Sequence, residues 1–96
     1  MNSVNIAGRI LDEPSKSRSA NGIDLMRFKM AVDKTGKDSG FDVFEVVVFR
    51  ELAETKLDIG QFVGVSGKLI SNNYEKDDKK YYNCNVVGTS ISMFGC

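Results

Sequence analysis

The sequence predicts an all-β fold in which five strands close into one small barrel, with one short helix between the third and fourth strands. Apolar and polar residues alternate in five segments, as they do in half-buried strands. Helical spacing replaces this alternation in residues 50–57. Glycines fall in the core-facing phase of three strands, where they permit the bends that a closed barrel needs. With 96 residues, we expect a single domain over 1–96.

The first three strands are predicted over residues 3–11, 24–34 and 41–49. Residues 12–23 contain a proline, three serines and an Asn-Gly pair, which predict a solvated loop. The second and third strands are separated by a short glycine-containing turn, so they are expected to form an antiparallel hairpin. In this hairpin Phe28 and Phe44 belong to the core phase. Arg27 and Lys29 share the other face with Glu45, which makes a cross-strand charge pair possible.

The third strand, FDVFEVVVF, has two apolar phases. One phase contains Phe44, Val46 and Val48, and the other contains Phe41, Val43, Val47 and Phe49, interrupted by Glu45. Only one of these faces can serve the core of a small barrel. The other face is therefore predicted to contact a second subunit or a ligand with flat apolar surfaces.

The last two strands are predicted over residues 62–70, with an extension to 74, and over residues 81–94. A charged segment, EKDDKK, separates them and predicts a solvated turn. Gly8, Gly67 and Gly88 are the glycines in core phase. A five-stranded Greek-key barrel with its helix between the third and fourth strands is the OB-fold.

The composition excludes several kinds of function. The chain has no histidine, no Gly-rich phosphate loop, and two cysteines without metal-ligand spacing, so we expect no enzyme, no metal, no cofactor and no small-molecule substrate. Cys84 is expected to be a small buried side chain. No apolar run approaches the roughly 20 residues of a membrane helix, and the start lacks the basic and apolar regions of a secretory signal. We therefore expect neither a membrane span nor secretion. The net charge is zero, unlike that of a strongly cationic nucleic-acid binder.

The sequence resembles the bacterial-type single-stranded DNA-binding protein (SSB) family over nearly its whole length. The residues that carry the resemblance are Asn2-Ser3-Val4, Gly8-Arg9-Ile10, Asp12-Glu13-Pro14, Asn21-Gly22, residues 27–32 and 46–49, Leu52-Ala53-Glu54, residues 60–63, Val65, Gly67-Lys68-Leu69 and Tyr74. The resemblance implies an OB-fold protein of a bacterial or phage-infected cytoplasm. Such a protein binds single-stranded DNA in replication, recombination or repair and assembles as a dimer or tetramer.

The resemblance also implies a site. Phe49 and Tyr74 match aromatic positions on which bases stack. Two tryptophan positions of the family correspond to Gly36 and Val43 here, and Phe41 is a candidate substitute for the second. The cations expected to follow the DNA backbone are Arg9, Lys16, Arg18, Arg27, Lys29, Lys68 and Lys76. The acidic, phenylalanine-tipped tail of bacterial members has no counterpart before Cys96.

Other interpretations remain open from the sequence. Phe49 taken alone could be a core residue, and the cations could be ordinary solvated side chains. A primosomal replication protein shares the fold. An OB-fold module that binds only proteins is also compatible with the zero net charge and the two missing tryptophans.

Overall fold

The computed structural model describes residues 1–34 and 40–93, with backbone alone for residues 72–74 and 80–83. The strands are β1 (Val4–Ile10), β2 (Ser15–Arg18), β3 (Asp24–Asp33), β4 (Phe41–Phe49), β5 (Phe62–Lys76) and β6 (Lys79–Met93). One 3₁₀ helix, Arg50–Glu54, joins β4 to the segment before β5.

Five of these strands close into a barrel. Going round it, β1 pairs with β3, β3 with β4, β4 with β6, β6 with β5, and β5 with β1. The β4–β6 pair is parallel and the other pairs are antiparallel. This order, with the short helix between β4 and β5, is the predicted OB-fold topology.

The barrel interior is filled by alternate residues of the strands, as the sequence predicted. The fully buried side chains include Met26 and Met30 of β3, Val46 and Val48 of β4, and Val65 of β5. The even-numbered phase of β3 is thus the core face. Phe28 is confirmed as a core residue, with 3% of its surface exposed. Phe44 is only half-buried and lies outside this cluster.

Two of the core-phase glycines lie where strands approach too closely for a side chain. A Cβ atom at Gly8 would overlap the backbone carbonyl of Ala31, and one at Gly67 would overlap the carbonyl of Val87. The register of β5 and β6 also shifts between Ser66 and Gly67, which is the irregularity of a β-bulge. The glycines therefore allow the tight coiling that closes the barrel.

The prediction that residues 12–23 form a solvated loop is wrong in part, because Ser15–Arg18 forms β2. This short strand pairs with the part of the β3 edge that β1 leaves unpaired, from Ser15 opposite Arg27 to Arg18 opposite Asp24. All four of its residues are exposed. A strand with both faces in water carries no apolar alternation, so the pattern that identified the other strands was missing here.

The helix predicted over residues 50–57 is shorter and tighter than expected. The 3₁₀ helix ends at Glu54, and the N–H of Thr55 donates a hydrogen bond to the carbonyl of Leu52, 3.1 Å away. Such i→i−3 bonds are favoured only in short segments. Ala53 and Leu57 are nevertheless buried in the core cluster, so the helical spacing identified residues that pack against the barrel.

The β5–β6 hairpin extends beyond the barrel as an arm. From Ile70 of β5 and up to Asn85 of β6, the two strands pair only with each other. Asp77 and Asp78 make the two-residue turn, both with positive φ, as in a type I′ hairpin turn. Cys84 lies on this arm and is exposed. The prediction that it is buried is wrong, because both faces of the arm meet solvent there.

Candidate nucleic-acid interface

The outward-facing side chains of β3 and β4 form one surface, the outer face of the hairpin. Its cross-strand pairs, from one end to the other, are Leu25–Phe49, Arg27–Val47, Lys29–Glu45, Ala31–Val43 and Asp33–Phe41. The predicted sharing of this face by Arg27, Lys29 and Glu45 is confirmed, with Lys29 directly opposite Glu45. An antiparallel pair in this register places the two Cβ atoms about 5 Å apart, but within the described part of the chain the charged groups of Lys29 and Glu45 form no ion pair.

Phe49 stands at the end of the outer face where β4 leaves the sheet. Phe49 is 38% exposed, whereas its neighbours Val48 and Leu25 are buried. An aromatic ring held by a buried strand and open on one side provides a flat apolar surface of fixed orientation. That is the kind of surface on which an unpaired nucleobase stacks.

Arg27 and Lys29 occupy the middle of the outer face, and carboxylates surround them. They line a hollow of about 360 Å³ together with Asp12, Glu13 and Glu45. Asp12 and Glu13 come from the segment between β1 and β2. Two cations and three carboxylates leave a local charge of −1, so the positive potential here is confined to the two side chains themselves.

Lys68 is connected to this face through a continuous row of paired residues. Arg27 is opposite Val47, Val47 is beside Val87, and Val87 is opposite Lys68. Neighbouring strands lie about 4.8 Å apart, so the three steps from β3 to β5 place the two cationic residues about 14 Å apart. Lys68 is exposed, and the row is an apolar strip with a cation at each end, in which Val47 is buried and Val87 is half-buried.

Arg9 lies at the far end of the barrel from Phe49, in a groove of about 560 Å³. Its guanidinium stacks over the ring of Phe62, 5.6 Å from the centroid, and donates a hydrogen bond to the carbonyl of Gly60, 3.0 Å away. Phe41 and Ile59 also line the groove and are 52% and 59% exposed. Arg9 is thus fixed in place among exposed apolar side chains.

The remaining predicted residues are separate from the outer face. Lys16 is opposite the core residue Met26 and lines a hollow beside the 3₁₀ helix. Arg18 makes an exposed ion pair with Asp24 at 2.9 Å. Lys76 lies next to the turn of the β5–β6 arm and is exposed. Tyr74 belongs to β5, opposite Tyr81, and its side chain lies outside the described residues, as does Gly36.

Sequence reasoning did not single out two residues near these candidate binding surfaces, Phe62 and Arg50. Phe62 of the Arg9 groove was one of them, although its phase opposite to Val63 and Val65 was a usable signal. Arg50, directly after Phe49, was the other, and its left-handed backbone conformation could not be read from the pattern. Among the described residues, none of the helices is long and apolar enough to cross a membrane, and we find no acidic or cysteine cluster of metal-binding size.

Comparison with solved structures agrees with the barrel. A small single-stranded DNA-binding protein from Streptomyces coelicolor has a TM-score of 0.78 at 22% identity, covering 96% of this chain and 93% of the other. The Plasmodium falciparum SSB in complex with ssDNA has a TM-score of 0.85 at 18% identity, covering 99% and 96%. At these identities the likeness establishes the OB-fold.

Sequence comparison establishes the family. The model of the single-strand binding protein family matches residues 1–94, and the chain belongs to that family. Single-stranded DNA-binding protein 2 of Staphylococcus aureus (strain Mu50 / ATCC 700699) is 31% identical over 101 residues, covering 97% of this chain and 72% of that protein. A single-stranded DNA-binding protein of Bacillus cereus is also 31% identical, but this chain spans only 59% of its length.

Proposed function

We propose that this chain binds single-stranded DNA without strong sequence preference, on the outer face of the β3–β4 hairpin. The observation that carries the proposal is Phe49, an exposed ring at the end of the same face that holds Arg27 and Lys29. Stacking is tolerant of sequence because every base has a π-face. Membership of the single-strand binding protein family and the ssDNA complex of a protein with the same fold support it.

In the proposed site, bases stack on Phe49 while phosphates pass the cations of the outer face. Arg27 and Lys29 lie nearest to the ring along the hairpin, and Lys68 extends the path across the apolar strip. Tyr74 and Lys76 lie farther along the β5–β6 arm and would contact a longer oligonucleotide. Arg9 would bind the phosphates of a DNA strand long enough to continue past Phe41, which is about 26 Å from Phe49 along β4. Lys16 and Arg18 are assigned a weaker, peripheral role, because they pair with Met26 and Asp24, whose phase is opposite to that of the outer face.

We also propose that the protein assembles as a homo-oligomer, either a dimer or a tetramer. Phe41, Val43, Ile59 and Phe62 remain exposed at the end of the barrel near Arg9, and an apolar patch of this kind is typical of a contact surface. Light scattering at tens of micromolar tests this. A molecular mass of two or four chains is expected, and the mass of one chain would contradict the proposal.

The role that follows is protection or organisation of exposed DNA strands in replication, recombination or repair, in the cytoplasm of a bacterial or phage-infected cell, without catalysis. A second candidate function is that of a protein-interaction module. The exposed apolar groove around Arg9 supports it, because such a module needs an exposed apolar surface for its partner. A primosomal protein of the same fold would bind DNA as well, so it differs in its partners rather than in its site.

Fluorescence anisotropy with a labelled oligo(dT) tests the proposal, since the chain has no tryptophan to report binding. Saturable binding that weakens with salt is expected, with a log–log slope of about −0.7 for each phosphate neutralised. Absence of binding at low salt would favour the protein-interaction module. A salt-independent affinity would contradict the use of cations along the outer face. Oligo(rU) in the same titration measures the preference for DNA over RNA.

A further inference from the structure

Arg50 has a backbone conformation that its residue type disfavours. Its φ is +59°, in the left-handed region. For a residue with a Cβ atom this region is crowded, because Cβ approaches the following carbonyl oxygen, and mainly asparagine and aspartate tolerate it. Phe49 before it is still extended, with φ −125° and ψ 157°. The chain therefore turns sharply at Arg50, between the end of β4 and the 3₁₀ helix.

The other described non-glycine residues with positive φ have an ordinary explanation. Asp77 and Asp78, at +55° and +62°, form the two-residue turn of the β5–β6 hairpin, and aspartate tolerates such turns. At Gly22, Gly40 and Gly60 the chain uses glycine for positive φ. Glycine would make the turn at residue 50 without crowding. An arginine in this conformation therefore suggests that its side chain has a use that glycine cannot supply.

The side chain of Arg50 is exposed and makes no hydrogen bond, ion pair or ring contact with the described part of the chain. Several cations near the barrel differ in this respect. Arg18 pairs with Asp24, and Lys34 pairs with Asp42 at 3.8 Å. Arg9 is held by Phe62 and Gly60. The guanidinium of Arg50 is consequently available to a ligand.

We infer that Arg50 binds the DNA phosphate next to the base stacked on Phe49. The Cα atoms of the two residues are about 3.8 Å apart, and a base on the ring brings its backbone phosphates within reach of a long side chain attached at the next position. The guanidinium fork matches the phosphate oxygens. This inference rests on the proposed function. It adds Arg50 to the proposed binding residues, as a residue whose disfavoured backbone conformation is accepted because it places a positive charge beside the ring of Phe49.

Three substitutions at residue 50 separate the effect of the side-chain charge on DNA binding from the effect of the strained backbone. Arg50→Gln keeps the strain and removes the charge. Arg50→Lys keeps both. Arg50→Gly removes both, because glycine accepts the left-handed conformation. Lys56→Gln is the matched control, since Lys56 is an exposed cation just after the end of the 3₁₀ helix, in the hollow that Lys16 lines. Each variant is titrated with labelled oligo(dT) across a salt series and melted in parallel.

Arg50→Gln and Arg50→Gly should both weaken binding about fivefold at 0.1 M salt, with log–log slopes shallower by about 0.7, as loss of one phosphate contact requires. Arg50→Lys should keep the parental slope, and Lys56→Gln should change nothing. Arg50→Gly should melt at or a few degrees above the parent. Parental slopes for Arg50→Gln and Arg50→Gly would overturn the inference while leaving the proposed function intact, as would an equal effect of Lys56→Gln. If the parent itself does not bind, both are overturned.

Discussion

The two faces of the β3–β4 hairpin carry similar side chains in different surroundings. On the inner face Phe28, Val46 and Val48 are buried against the other strands. On the outer face Phe41 and Val43 are half-exposed, and Phe49 is more open than any residue of the core. Burial of a phenylalanine contributes to folding, whereas an exposed ring leaves an apolar surface on which a nucleobase can stack. The difference shows that residue type alone does not determine what an aromatic side chain does in this barrel.

The largest effect is expected on the inner face. Phe28→Ala should lower the free energy of unfolding by about 3–5 kcal/mol, because it leaves a cavity in the core. A domain of this size has only about 5–15 kcal/mol of stability, and each kcal/mol shifts Tm by about 4–8 °C. Thermal melting followed by circular dichroism should therefore show a Tm at least 12 °C lower. A variant that melts within a few degrees of the parent would show that the inner and outer faces are wrongly assigned.

A smaller effect is expected from the cations of the outer face. Arg27→Gln and Lys29→Gln should each make the log–log salt slope of oligo(dT) binding shallower by about 0.7, which is about fivefold in affinity at 0.1 M salt. Glu45→Gln should act in the opposite direction, because it removes a carboxylate opposite Lys29. If Glu45→Gln weakens binding instead, the phosphate path does not pass along the middle of this face.

The smallest effect is expected at the edge of β2. Arg18 and Asp24 form an exposed ion pair, and such pairs contribute about 0–1 kcal/mol. Arg18→Gln should leave Tm almost unchanged and should alter oligo(dT) affinity less than Arg27→Gln does. A loss equal to that of Arg27→Gln would extend the interface around β2, and the outer face would no longer account for binding by itself.

The sequence predicted the barrel well because its core strands alternate cleanly. The phase of β4 separated Val46 and Val48 from Phe49 without any structural information. β2 was missed because its serines and basic residues are all in water, which leaves no apolar period to detect. The helix after β4 was predicted too long, since helical spacing of Ala53 and Leu57 does not distinguish an α-helix from a 3₁₀ helix followed by an extended segment.

The candidate site was harder to predict than the fold. Cationic residues can be listed from a sequence, but their grouping depends on strand register and on their partners. Arg27 and Lys29 share a face because both occupy odd positions of β3. Arg18 is paired with Asp24 across a strand that the pattern did not reveal. The conformation of Arg50 depends on how β4 leaves the barrel, which is a tertiary property.

The most direct test of the central claim compares two identical substitutions on opposite faces, Phe49→Ala and Phe28→Ala, in the same melting and oligo(dT) titration experiments. Loss of one stacking contact, about 1–3 kcal/mol, should weaken oligo(dT) binding by Phe49→Ala about 5- to 150-fold, while its Tm stays within a few degrees of the parent. Parental affinity, or a Tm that falls as far as that of Phe28→Ala, would contradict the assignment of Phe49 as the base-stacking residue of the outer face.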